Sequence, residues 1–275
     1  MFLKDTNGVD SPLDRIESDE GVKSLGVFTQ LDGGETDELE YLDGKITIWN
    51  TMVKQSPLPP TVNLQPILTR TTRTIIYPLP VTNFTQVECR EIEGKLYRHS
   101  LPKCGISSKY PFAMRYAPTY YMGLPIPEFY NQHGTQHLFE LLKHYNKPTT
   151  SGKQMFLQFE LARLIVASSK WIFQLKSSRF SQLLDPCWLR TTWDFVLAHN
   201  IEMRAPHVQL QTPRVNDSFI MDVLVASDLT KGELVRINHC RIYLQVLTLS
   251  DMVDAAGNRI LQHYLTGDMT RNRNR

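Results

Sequence analysis

Two histidines four residues apart, His133 and His137, fall on a stretch with helical periodicity, the spacing at which two imidazoles reach one metal ion. The segment reads HGTQH, without the glutamate of a zincin H-E-x-x-H. Tyr130, Leu141 and Tyr145 share its face, so packed core or boundary histidines are the simpler reading. His99 with Cys104, and the adjacent His239 and Cys240, place base and thiol types near each other without a nucleophile signature. No G-x-x-x-x-G-K-[ST] loop, G-x-G-x-x-G turn or G-x-S-x-G elbow occurs. No two aspartates are adjacent, which removes the usual support for two-metal polymerase chemistry. No catalytic residue, metal site or cofactor is therefore expected in the chain. What remains is cationic and aromatic. Lys103, Lys109 and Arg115 interleave with Tyr110, Phe112, Tyr116, Tyr120 and Tyr121, which offers stacking faces beside phosphate partners. An apolar-rich loop laid over a core has the same composition. Arg70 and Arg73, three residues apart, share one face of a helix.

The elements that must position these groups follow from periodicity and punctuation. Val22, Leu25, Val27 and Leu31 suit a short strand, and Asp32-Gly33-Gly34 suits a turn. Leu39, Leu42, Ile46, Trp49 and Val53 recur at spacings of three and four, one stripe of an amphipathic helix. Its start carries Thr36 as a cap and an acidic first turn. Ser56 to Pro60 ends it, and a second helix is expected from Pro66, stopped by Tyr77-Pro78-Leu79-Pro80. Thr85 and Glu88 form a capping-box pattern for a third helix ending near His99. The long aromatic loop after it is expected to hold a short strand at 112–116. Helices are then expected at 128–145 and 155–167, a further one capped by Asp185 and Pro186, and a last one at 230–249, with FIMDVLVAS between these two as a short buried strand. The tail TGDMTRNRNR is basic. The fold class expected is α+β and predominantly helical. The expected regions are an acidic leader with short β elements at 1–34, a helical region at 35–146 and a second helical subdomain with the basic tail at 147–275.

Composition narrows the class. The 275 residues are 41% hydrophobic and 21% charged, ordinary values for a globular chain. No apolar run approaches the roughly 18 residues of a membrane span. The N-terminus turns acidic at once and does not resemble a secretory signal, so an intracellular protein of nucleus or cytoplasm, with no membrane partner, is expected. The four cysteines, Cys89, Cys104, Cys187 and Cys240, lie far apart and suit reduced thiols. The net charge of +2 hides an asymmetry, with −9 in residues 1–43 and +11 in the rest. A basic body behind an acidic leader suits a polyanionic partner.

The stretches KSLGVFTQLDG, IIYPLPVTNFTQVEC, LPKCGI, YMGLPIPEFYNQHG and NHCRIYLQVLTLSDMVDAAG together resemble the C-terminal part of reverse transcriptase polyproteins of LINE-like, non-LTR retroelements of algal and protist type, over about residues 20 to 260. The resemblance implies that Leu25, Gly26 and Val27 match a primer-grip strand that follows the catalytic palm, and that the next helices match a thumb holding template and primer. On that mapping Lys45, Lys54, Arg70 and Arg73 are phosphate contacts, to which Lys103, Lys109 and Arg115 add from the aromatic loop. Such contacts position a duplex without reading its sequence. The metal-binding aspartates of the palm have no counterpart, so Mg²⁺ would belong to the missing palm. The implied function is a non-catalytic remnant of an RNA-directed DNA polymerase that retains RNA/DNA duplex binding, with the palm and fingers of a parent polyprotein as a further partner. A helical protein-interaction module is the alternative.

Overall fold

The computed structural model describes residues 17–145, 147–204 and 216–262, together with the backbone of 2–4 and 10–12. The basic tail at 266–275 lies outside the described residues. Among the described residues the chain is predominantly helical, about 59%, with two small antiparallel hairpins near the N-terminus. It divides into two compact units, Met1–His133 and Gly134–Arg275. The division falls inside a helix, and the Lys147 to Gly152 segment expected to separate two subdomains links two helices of the second unit.

In the first unit β1 (Phe2–Lys4) pairs with β2 (Asp10–Pro12), and β3 (Val22–Ser24) pairs with β4 (Val27–Thr29). The single strand expected over Val22 to Leu31 is thus a hairpin. Leu25 and Gly26 form its two-residue loop, both at positive φ, 51° and 91°, as a type I′ turn requires. Helix α1 (Thr36–Gln55) follows, with Leu42 and Ile46 of the expected stripe buried. Its N-cap is Glu35 rather than Thr36, and no side chain caps it. The first-turn acids are used elsewhere. Glu38 accepts the Phe28 N–H at 2.8 Å, Asp37 accepts that of Gly21 at 2.6 Å, and Glu35 accepts that of Asn83 at 2.7 Å.

The second helix begins at Pro60, not Pro66. Proline at the first helical position loses nothing, because that N–H has no partner in any helix. Pro66 lies inside, and the chain passes it by widening. Helix α2 (Pro60–Pro66) gives way to a π-helical turn (Ile67–Thr71) before α3 (Thr72–Ile76), with the Thr72 N–H and hydroxyl both donating to the Ile67 carbonyl. Helix α4 (Gln86–Lys103) starts with the expected capping box of Thr85 and Glu88. It runs one turn past His99 and carries Pro102 near its end. It packs along α1, where Lys95 pairs with Asp43 at 2.7 Å and Asn50 donates to the Lys95 carbonyl at 2.9 Å. The expected strand at 112–116 is instead a helical turn, α5 (Phe112–Arg115), behind Pro111, whose φ of −55° already suits a helix.

Helix α6 (Phe129–His144) leaves the first unit at His133. In the second unit, α7 (Thr150–Val166) is capped by Thr149, and α8 (Ser178–Ser181) by Ser177. Helix α9 starts at Trp188 (Trp188–Ala198) with Cys187 as an N-cap that makes no side-chain cap, so Asp185 does not cap it. FIMDVLVAS is helical, α10 (Ile220–Val225). Its buried residues Ile220, Met221 and Val225 have helical rather than alternate spacing, and only Phe219 bridges Thr248 in an extended pair. Helix α11 (Lys231–Leu244) begins with a Thr230–Glu233 capping box and stops at Gln245, whose φ is 57°. The core gathers Phe159, Trp171 and Phe173 as rings 5.0–6.2 Å apart, Phe173 edge-on to the other two, with Trp193 fully buried. Gly134 is where α6 meets α9, since a Cβ there would stand 2.1 Å from the Phe195 ring.

Candidate nucleic-acid interface

Helix α4 presents a cationic edge. Arg90, Gly94, Arg98 and Pro102 are four apart, so they form one ridge of the helix. A groove of about 550 Å³ runs past Val87, Arg90, Glu91, Gly94, Lys95 and Arg98. A second cleft, of about 350 Å³, is lined by Lys54, Arg98, His99, Pro102 and Lys103. Arg98 belongs to both, and the second cleft has no carboxylate in its lining. The packing of α1 along α4 brings the last turn of α1, with Lys54, to the end of α4. The Lys103 carbonyl is in turn held by the Asn63 side chain at 3.4 Å.

Of the residues singled out from the sequence, Lys54 and Lys103 meet in this cleft. Lys45 is half-buried with its ammonium 5.2 Å from the centre of the Tyr41 ring. Arg70 and Arg73 are exposed on the helical stretch around the π turn and do not line the cleft. Lys109 is exposed in the aromatic loop. Arg115 turns inward, 6.0 Å from the Tyr97 ring centre, and donates to the Tyr110 carbonyl at 3.5 Å. The sequence reading missed Arg90 and Arg98, and took His99 only as a candidate base beside Cys104. The signal of the two arginines was the four-residue ridge on a helix identified mainly by its apolar face.

The acidic groups of the first unit are turned to other uses. Burial pushes Glu35 up to about 7 against the Asn83 N–H, with the charges of Glu38 and Glu88 adding to the rise. Burial likewise raises Glu38. Glu93 is buried, and desolvation raises it although the Tyr116 hydroxyl donates to it at 2.6 Å and the Phe129 N–H at 2.5 Å. It thereby ties α4 to both the aromatic loop and the start of α6.

The histidine pair is deeply buried, both residues 0% exposed. His133 bonds the Thr82 carbonyl at 2.9 Å, and burial pushes it down to about 4, against the bond to Thr82. His137 bonds the Thr192 hydroxyl at 3.1 Å and stacks on Trp188 at 4.8 Å. Among the described residues no cluster of three or more His, Cys, Asp or Glu could hold a metal ion. The described cysteines are free thiols, and no described helix is long and apolar enough to cross a membrane. Comparison with known protein families, curated proteins and solved structures gives no match.

Proposed function

We propose that the chain is a non-catalytic nucleic-acid-binding remnant of a retroelement reverse transcriptase, gripping the phosphodiester backbone of an RNA/DNA duplex through the cationic edge of α4. The origin rests on the sequence resemblance alone. The binding reading is carried by one observation, the convergence of Lys54, Arg98, His99 and Lys103 on a cleft without carboxylates. Phosphates brought to such a cleft release counterions, which drives association without sequence reading. The palm and fingers of a parent polyprotein are the protein partner this origin implies. The chain polymerises nothing by itself, because the paired aspartates of polymerase chemistry have no counterpart in its sequence. Primer extension with Mg²⁺ or Mn²⁺ gives no incorporation on this account, and clear incorporation would defeat it. Arg98→Ala with Lys103→Ala weakens duplex binding by about tenfold or more, at roughly 1 kcal/mol per lost charge-assisted contact. Unaltered affinity would remove the cleft from the site.

A protein-interaction module is the second reading, favoured by the outer face of α7. Leu157, Leu161 and Leu164 follow one helical stripe and are all exposed, with Phe156 exposed beside them. Charge substitutions on that stripe abolish partner capture under this reading and leave oligonucleotide binding intact.

A further inference from the structure

We infer that the aromatic segment 110–122 and the groove along α4 form one surface for single-stranded nucleic acid, with bases stacked on Phe112, Tyr120 and Tyr121 and phosphates held by Arg90 and Arg98. This rests on the proposal that the first unit binds nucleic acid, and it adds a single-strand surface beside the duplex contacts at Lys54 and Lys103.

The three rings are exposed, Tyr120 at 76% and Tyr121 at 62%, although rings of this size are among the largest contributors to burial energy when a fold can enclose them. The segment that carries them is cross-tied. The Tyr110 hydroxyl donates to the Met122 carbonyl at 2.9 Å, and the Leu124 N–H to the Arg115 carbonyl at 3.2 Å. The Tyr116 hydroxyl fixes it to Glu93 of α4 at 2.6 Å. At Gly123 the chain approaches itself so closely that a Cβ would stand 1.7 Å from the Ala117 carbonyl oxygen. Tyr120 and Tyr121 lie 4.1 Å apart, and Phe112 is 4.8 Å from Tyr116. Tyr120 and Tyr121 tilt against each other and Phe112 meets Tyr116 edge-on, so the rings are held in place and remain open to water.

Charge complementarity selects the occupant. The Arg90 guanidinium lies 5.9 Å from the centre of the Phe112 ring and also lines the groove that continues to Arg98. Two helical turns, about 12 Å, separate Arg90 from Arg98. Glu91 is the one carboxylate lining that groove. A ligand that fits both halves is a polyanion that also offers planar apolar faces. A single strand offers both, whereas a duplex keeps its base faces inside its own stack.

The test compares a labelled oligothymidine single strand with a blunt RNA/DNA duplex on the full chain, for the native protein and the double variant Tyr120→Ala, Tyr121→Ala. Both side chains project into solvent, so the variant should melt as the native protein does. The expected result is at least about a tenfold loss of single-strand affinity, the effect of losing one stacked base, with duplex affinity unchanged. Tyr120→Phe with Tyr121→Phe should keep the single-strand affinity, because the π-face and not the hydroxyl is used. Single-strand binding indifferent to the alanines, or equal losses for both probes, overturns the inference while salt-dependent duplex binding leaves the parent proposal standing. Binding of neither probe overturns both.

Discussion

At the scale of single residues, the positive charge of the chain is less available than its count implies. Arg241 is 4% exposed and donates to the Leu164 and Ile165 carbonyls at 2.8 and 2.7 Å, to Val246 at 3.2 Å and to the Asn238 side chain. These are carbonyls left open at the end of α7 and after α11, and one fork of five N–H groups serves both. Arg179 does the same for the Val225, Ser227 and Leu229 carbonyls. Arg241→Leu strands several buried acceptors and should cost about 2–4 kcal/mol, read as a lower melting temperature. A neutral outcome would mean that water reaches those carbonyls. Glu35 and His133 set a pH dependence of opposite signs. Glu35, raised from 4.5 to about 7, contributes stability that is full below 4.5 and lost as the pH rises through 7. His133, lowered from 6.5 to about 4, contributes stability that is full above 6.5 and lost as the pH falls through 4. Between 4.5 and 6.5 the two oppose each other, so Glu35→Gln should make the melting temperature fall more steeply with acidification. An unchanged pH profile in the variant would refute the assignment.

At the scale of elements, the β3–β4 hairpin carries an avoidable cost. Leu25 holds a left-handed conformation at the tip, 90% exposed, where Asn is the favoured partner for the following Gly26. Leu25→Asn should stabilise the first unit by about 1 kcal/mol, measured by urea denaturation; destabilisation would show that Leu25 packs in solution. The elements most legible in the sequence were those with a local capping box or a buried stripe. Thr85 with Glu88 announces α4 through its own hydrogen bonds, and the spacing from Leu42 to Ile46 announces α1 through burial, although no side chain caps α1. The elements misjudged were those where tertiary context decides. Leu25-Gly26 looks like part of a strand until its partner strand is known, and FIMDVLVAS is apolar enough for strand or helix until Phe219 is seen to bridge Thr248. Pro66 looked like a helix start because a π turn that absorbs a proline has no sequence marker of its own. The site was half legible. Lys54 and Lys103 were marked as cations, but Arg98, which joins their cleft to the α4 groove, needed the packing of α1 on α4 to stand out.

At the scale of the whole molecule, the acidic leader and the basic body are not simply opposed. The acids at the start of α1 are spent on the backbone N–H groups of Gly21, Phe28 and Asn83, so they brace the first unit. Helix α4 links the two roles, since Glu93 on its inner face secures the aromatic segment and α6 while Arg90 and Arg98 line its groove. Under the proposed function this edge holds a nucleic-acid backbone. The most direct measurement is the salt dependence of RNA/DNA duplex affinity for the native protein and for Arg98→Ala with Lys103→Ala. Affinity should fall steeply with salt, and the variant should reduce the logarithmic slope by about 2, close to 0.9 for each phosphate contact removed. A salt-insensitive affinity, or a slope identical in the two proteins, would contradict the claim.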